Sequence, residues 1–267
     1  MCSQSDTNPF HSKLSQVNQN FSTNPGAGVL SLLQPQPGER ILDIGCGNGD
    51  LMSEIAAAGA IPAGIDLSQE MVKRARKKHP GLEIQVGDAS RFRTDVRYDA
   101  VVSHAALHWI KDAPAAARTI WLALRDGGRF VAEFAGSGNV AVLTTAIEKA
   151  LVEHGYVWEG RDPWYLPTIG QYAGLLERTG FRVTLAQHFD KPTPLKGEKG
   201  VRFWLDSFAE HFFPDVTPAD KASIYEAVEA QVTPRLLREG QWMLDTSRLR
   251  IEAVKESVFL PNDGKQD

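Results

Sequence analysis

Nine residues limit what this chain can become. Ile41 to Gly49 reads Ile-Leu-Asp-Ile-Gly-Cys-Gly-Asn-Gly, an apolar run that takes one acid and then breaks into three alternating glycines. Such a segment suits the first strand of an α/β sheet, turning tightly over a ligand before a helix begins. The spacing discriminates between ligands. A dinucleotide fingerprint would place its third glycine at position 50, where the chain has Asp50, and the third glycine is instead Gly49. A carboxylate, Asp43, also sits two residues ahead of the loop. It would repel a pyrophosphate and attract a ligand carrying ammonium and sulfonium charges.

The next landmarks fall in register with that loop. Asp50 to Ala58 reads as a helix closed by Gly59, and the apolar run Ile61 to Ile65 ends in Asp66. An acid about 20 residues past a glycine loop, at a strand tip, can accept hydrogen bonds from ribose hydroxyls. The lesser alternative is that Asp66 is only a helix-start residue, since Ser68 opens the helix Gln69 to Lys78. Gly87-Asp88-Ala89 follows the run Leu82 to Val86, and by itself Asp88 reads as a turn residue.

From Ile41 onward, strands are expected near 41–45, 61–66, 82–87, 98–103 and 128–134, and helices near 50–58, 68–79 and 113–124. Alternation of this kind implies an α/β fold: a doubly wound, mainly parallel, seven-stranded sheet with helices on both faces. Ligands on such sheets bind at the carboxyl ends of the strands, where Asp43, Asp66, Asp88 and Ser103 all fall. Further helices are expected over Val140 to Glu153 and Thr168 to Arg178, then a strand over Phe181 to Phe189 and a closing strand over Arg248 to Val254. The excursion between those last two strands is far longer than a hairpin loop. It is expected to be a helical insertion, with residues 190–245 forming a cap over the substrate site within one domain spanning 1–267. Residues 1–30 are expected to form an N-terminal lid segment.

Composition narrows the class further. The chain has 267 residues, 42% hydrophobic and 23% charged, with net charge −4, an ordinary globular balance. The one basic run, Lys73 to Lys78, is periodic with Met71, Val72 and Ala75 and reads as a solvated helix face, so no nucleic-acid partner is expected. The two cysteines, Cys2 and Cys46, argue against a structural disulfide. Cys46 reads as a small residue fitting a tight turn. Met1 to Phe10 lacks the pattern of a signal peptide, and no run approaches the ~18 apolar residues of a membrane span, so a cytoplasmic location without a membrane partner is expected.

These stretches resemble the class I S-adenosylmethionine-dependent methyltransferases. The glycine loop with its two acids carries the cofactor part of that resemblance. Ala105-Ala106-Leu107-His108-Trp109, Gly127-Gly128-Arg129-Phe130 and Glu133-Phe134-Ala135-Gly136-x-Gly138-Asn139 resemble the branch that includes trans-aconitate methyltransferase and related small-molecule enzymes. The likeness covers residues 18–190; His104 departs from it, since the branch pattern has Asn there. The resemblance implies S-adenosyl-L-methionine as cofactor, held by Asp43, Gly45, Cys46, Gly47, Asn48, Gly49, Asp66, Leu67, Met71, Asp88, Ala89, Ser103 and Trp109. In the family the acid at the position of Asp88 approaches the adenine amino group. The acceptor pocket is expected to draw on Phe21, Glu133, Asn139, Trp164 and Tyr165, with Arg161, Arg202, Arg248 and Arg250 as candidates for holding an acidic acceptor.

Methyl transfer by in-line displacement needs an acceptor lone pair held near the methyl, and a base only where the acceptor must lose a proton. His108 is the preferred base candidate, and His104 reads as pocket wall before base. His104, His108 and Asp112 are spaced as one helix face would space metal ligands, but the segment follows a strand end and meets Pro114, so no metal is expected. The expected activity is methyl transfer to a small-molecule acceptor, with oxygen slightly favoured. The alternative is a protein that binds the cofactor without transferring methyl, as a cyclase-type catalyst or an inactive partner subunit. An NAD-dependent oxidoreductase is disfavoured by Asp50.

Overall fold

The computed structural model describes residues 27–195 and 200–256. Helix α1 (Ala27–Leu33) leads to strand β1 (Arg40–Ile44), helix α2 (Asp50–Ala57), strand β2 (Ile61–Asp66), helix α3 (Gln69–Lys78) and strand β3 (Glu83–Val86). Strand β4 (Tyr98–His104), a 3₁₀ turn over Leu107–Trp109, helix α4 (Ala113–Ala123) and strand β5 (Leu124–Ala135) follow. The elements obey local chemistry. The Ser68 hydroxyl caps α3 by accepting from the Met71 N–H at 3.3 Å, Glu70 lies in its first turn, and Arg76, Lys77 and Lys78 fill its last, as the helix dipole favours. Met71, Val72 and Ala75 are its buried face, so the basic run is the solvated one.

Helix α5 (Ala141–Glu153), helix α6 (Ile169–Thr179) and strand β6 (Phe181–Asp190) come next, and strand β10 (Ser247–Lys255) closes the chain's sheet. The seven strands run β3-β2-β1-β4-β5-β10-β6. β1 to β5 are mutually parallel, whereas β10 pairs antiparallel with both β5 and β6. The order reverses between β1 and β4, which opens a crevice at their carboxyl ends. Those ends carry Asp43, Asp66 and His104.

Between β6 and β10 lie strand β7 (Thr193–Pro194), helix α7 (Gly200–Phe208), a 3₁₀ turn Glu210–Phe212, helix α8 (Pro218–Leu236), and strands β8 (Leu237–Arg238) and β9 (Gln241–Leu244). The insertion is therefore not wholly helical: β7, β9 and β8 form a small separate sheet. Strands of two to four residues are too short to show a period-2 pattern. The β8–β9 turn is made by Glu239 and Gly240, both at positive φ (50° and 78°), where a glutamate gives little warning of a primed turn. Strand β5 also begins earlier than expected, at Leu124, because a register shift lets Tyr98 pair with Leu124 before Ala100 pairs with Arg129.

Packing divides the molecule differently from sequence order. One core joins the sheet to α4 and α6 through Leu42, Val101, Ile120, Phe130 and Leu176. Another lies under α1 and α2 on the opposite face, around Val29, Leu33, Ile41, Ile55 and Val131. A third core unites α5 with α7, α8 and β9 through Leu143, Ile147, Trp204, Phe212, Val228 and Trp242. Helix α5, which precedes β6 in the chain, thus packs with the insertion that follows it.

Behind β2, Gly64 has no room for a side chain: a Cβ there would meet the Met52 sulfur and lie 2.9 Å from Cys46 Sγ. Gly64→Ala is expected to destabilise the fold by about 1–3 kcal/mol through overpacking. Urea unfolding should show a lower midpoint at an unchanged slope, and parental stability would refute the packing argument.

Candidate active site

The loop after β1 turns by placing Gly45, Gly47 and Gly49 at φ of 75°, 56° and 82°, the left-handed region that favours glycine. The reasons differ by position. A Cβ on Gly45 would run into Ala106, whereas one on Gly47 would make only an ordinary contact, 3.5 Å from Met71 Cε. Crowding therefore fixes Gly45, and backbone geometry fixes Gly47. The Gly45 and Cys46 N–H groups donate to the Ile65 carbonyl at 2.8 and 3.0 Å, which ties the loop to the tip of β2. Asn48 donates to Asp50 Oδ2 at 3.0 Å, and Asp50 is further held by Lys78 (2.5 Å) and His79 (3.1 Å). The residue that replaces a third dinucleotide glycine is thus spent on α3. Burial pushes the Cys46 thiol pKa well up, in keeping with a packing residue.

Asp66 braces the loop from β2. Its Oδ2 accepts from the Gly47 N–H at 2.9 Å and its Oδ1 from the Ser68 N–H at 2.8 Å. A carboxylate has about four lone-pair positions, which lets Asp66 serve several donors at once. Asp43 is different. It is 1% exposed, and neither carboxyl oxygen has a hydrogen-bond partner. Desolvation, with the Asp66 charge second, pushes its pKa up to about 8. An orphaned buried carboxyl beside a glycine loop fits a cationic ligand, which would supply the missing counter-charge.

Farther along the strand ends, Asp88 Oδ1 accepts from the Ser90 N–H (2.8 Å) and hydroxyl (2.7 Å), leaving Oδ2 turned outward, with Arg91 Nε at 3.9 Å. Leu67 is 61% exposed, while Met71 and Ala89 are buried. An exposed apolar side chain beside Asp66 and Asp88 offers a surface for a flat base. Ser103 is fully buried and its hydroxyl donates to the Ile44 carbonyl at 2.8 Å, so it locks β4 to β1.

Beyond β4 the chain enters the left-handed region at Ala105 (φ 55°), its N–H held by the Glu133 carbonyl at 2.8 Å. The 3₁₀ turn that follows carries Leu107, His108 and Trp109. It borders a cavity of about 90 Å³ lined by Ala105, His108, Trp109, Ala135, Asn139, Val140, Trp164, Thr193, Trp204, Phe208, Leu244, Thr246 and Arg248. Aromatic edges frame it, with Trp109 edge-on to Trp164 at 5.7 Å between centroids. Two latches close its far wall: Asp245 accepts from the Val142 N–H at 2.8 Å, and Asn139 Oδ1 accepts from the Ser247 N–H at 3.1 Å.

The expected acceptor residues divide. Asn139 and Trp164 line this cavity, and Trp109, expected at the cofactor, lines it too. Glu133 does not: Arg250 engages it with Nε at 2.9 Å and Nη2 at 2.5 Å. Tyr165 is also outside the lining, packing toward Tyr172 while its N–H donates to the His108 carbonyl at 2.8 Å. Phe21 lies outside the described residues. His104 pairs in register with Glu133 rather than facing the cavity, and burial, opposed by Glu133, pushes its pKa down to about 4. Sequence reasoning missed Thr193, Trp204, Phe208, Leu244 and Thr246, which come from distant stretches of the insertion with no motif to mark them. Of the four candidate arginines, Arg161 is forked onto Asp215, Arg202 stacks on Tyr225 and Arg250 is taken by Glu133, so only Arg248 reaches the cavity.

Residues 42–132 match a family model described as a methyltransferase domain. The chain is 33% identical to an uncharacterized methyltransferase of Schizosaccharomyces pombe over 90% of its own length and 96% of the relative's. It is 36% identical to the trans-aconitate 2-methyltransferase of Mycolicibacterium gilvum over 69% of its length and 74% of that protein. Among solved structures, phosphoethanolamine N-methyltransferase 2 of Haemonchus contortus in complex with S-adenosyl-L-methionine superposes with a TM-score of 0.57 at 20% identity, covering 92% of this chain and 57% of that one. That level of identity speaks for a shared fold.

Two outcomes are expected from the acids. Asp66→Ala should weaken S-adenosylmethionine binding by roughly 1.5–3 kcal/mol, the size of a lost charge-assisted hydrogen bond; unchanged affinity by calorimetry in a folded variant would remove Asp66 from the site. For Asp43 the folded state binds the extra proton between 3.8 and about 8, so its contribution to stability is largest at low pH and falls as pH rises through that window. Asp43→Asn should abolish that fall, as followed by thermal unfolding from pH 5 to 8, and weaken cofactor binding at least tenfold.

Proposed function

The chain belongs to the S-adenosylmethionine-dependent methyltransferases, and we propose that it methylates an oxygen atom of a small-molecule acceptor held in the cavity beside Ala105, His108 and Trp109. When bound, S-adenosylmethionine supplies an electrophilic methyl on a positively charged sulfur, open to in-line attack by an acceptor about 3 Å away. Asp43 supplies the counter-charge for the cationic cofactor. Asp66 accepts from the ribose hydroxyls, while Leu67, Ala89 and Asp88 meet the adenine. The glycines bring backbone close to the methionine portion.

One observation carries the choice of acceptor. The cavity at the carboxyl ends of β4 and β5 has mainly aromatic and aliphatic walls with Arg248 as its cation, and holds no aspartate or glutamate among the described residues. An acceptor amine arrives as an ammonium, and this lining offers no carboxylate to receive that charge and a guanidinium that repels it. An oxygen acceptor needs no acid there. The insertion, with α5, supplies walls that keep water from the transfer, and the rigid Trp109–Trp164 pair holds the acceptor's position.

If the acceptor oxygen starts as a hydroxyl, His108 is the group placed to take its proton; His104, with its pKa near 4, is too weak a base at neutral pH. His108→Ala should then lower turnover by about 10²–10⁴-fold at nearly constant cofactor affinity. The wild-type rate should rise with pH as the base loses its proton, and the variant's should not. A flat pH profile in both proteins would make His108 a contact residue. Mass spectrometry of the methylated product, formed together with S-adenosylhomocysteine, tests the whole reading, and a methyl found on nitrogen, carbon or a protein would overturn it.

A further inference from the structure

We infer that the acceptor is a monocarboxylic acid with a flat apolar body, anchored by Arg248. The inference rests on the cavity being the acceptor site and concerns what that site selects. Arg248 lies at the start of β10, in register with Ala135 of β5, and both residues line the cavity. Among the described residues no carboxylate lies within ion-pair distance of Arg248, and no acceptor hydrogen-bonds to it. The nearest acid in charge terms, Glu133, is already forked by Arg250. Two guanidinium groups against one carboxylate leave a single net positive charge at this wall. Arg248 is half-buried, and that burial pushes its pKa down. A half-buried guanidinium with open donors is a site for a bidentate oxyanion.

A second donor points the same way. The indole N–H of Trp164 is buried without a hydrogen-bond partner, and Trp164 lines the cavity. The cavity's other hydroxyls are not open in this sense, because Thr193 and Thr246 bond to each other at 2.7 Å. Of the other lining residues, Asn139 gives its Oδ1 to the Ser247 N–H and His108 is the one further ionisable group, while Trp109, Trp204, Phe208, Leu244, Val140, Ala105 and Ala135 carry no ionisable side chain. A tricarboxylate would bring three charges to one open cation and desolvate at least one without a partner, a penalty that scales with charge. The site suits one negative charge, one further oxygen and an apolar remainder the size of a small ring.

Calorimetry on the full chain saturated with S-adenosylhomocysteine tests this with benzoate, trans-cinnamate, hexanoate and citrate. At least one monoacid should bind at least tenfold more tightly than citrate. That affinity should fall at least tenfold in Arg248→Met and several-fold in Trp164→Phe, while S-adenosylhomocysteine binds both variants as it binds the parent. Tighter binding of citrate, binding of none of the three monoacids, or unchanged affinity in Arg248→Met would overturn the inference. Failure of the broader reading looks different. If a neutral alcohol or phenol is methylated equally by the parent and Arg248→Met, oxygen methylation stands and the anionic acceptor falls. If Trp204→Ala and His108→Ala leave turnover of every acceptor unchanged, the cavity is not the acceptor site.

Discussion

The site is organised around a carboxyl group buried without a partner. Asp43 sits in the middle of the sheet, on the strand between β2 and β4, where an unpaired charge would cost several kcal/mol, so burial favours its neutral form. The neighbouring acid, Asp66, adds to that pressure while also holding the glycine loop by Gly47. The loop is therefore shaped in advance by hydrogen bonds but left electrically incomplete. A positively charged cofactor meets a rigid backbone and a carboxyl that ionises in its favour, giving up its proton as the cation arrives.

Much of this was legible because the cofactor half is written in contiguous motifs. The run Ile41–Gly49, the strand ending at Asp66 and the capped helix from Ser68 each announce their structure locally, and seven strands in a doubly wound order follow from their spacing. The cavity beyond β4 resisted for a physical reason. Its walls come from the ends of β4 and β5, the loop at Trp164, and both ends of the insertion, and no periodic pattern records which distant residues will face one another. Glu133 and Arg250 show the difficulty: each looked like a site residue, and each is used up by the other. Trp109, expected at the cofactor, borders the cavity as well. Tyr165 lay one residue from a lining residue and packs to the sheet instead.

The insertion is more than an ornament on the last hairpin. It forms its own apolar core with α5, separate from the cores on either face of the sheet. Val140, a β-branched residue held at φ 49°, marks the point where the two units are forced to meet, and its N–H donates to the Asp245 carbonyl at 2.9 Å. Strain of this kind persists only where surrounding contacts fix it, and here Asp245 and Asn139 do so from opposite directions.

The separation of those cores has a consequence for how such a chain can change over generations. The loop acids and glycines occupy residues 43 to 88, whereas the described residues lining the cavity lie at or beyond Ala105. Among the described residues, the short bridge from Ala105 to Trp109 lies between the two. Substitutions in the later stretch can reshape what is received without disturbing what is donated. One ancestral cofactor platform can in this way be handed down intact while its descendants diverge in the molecules they modify.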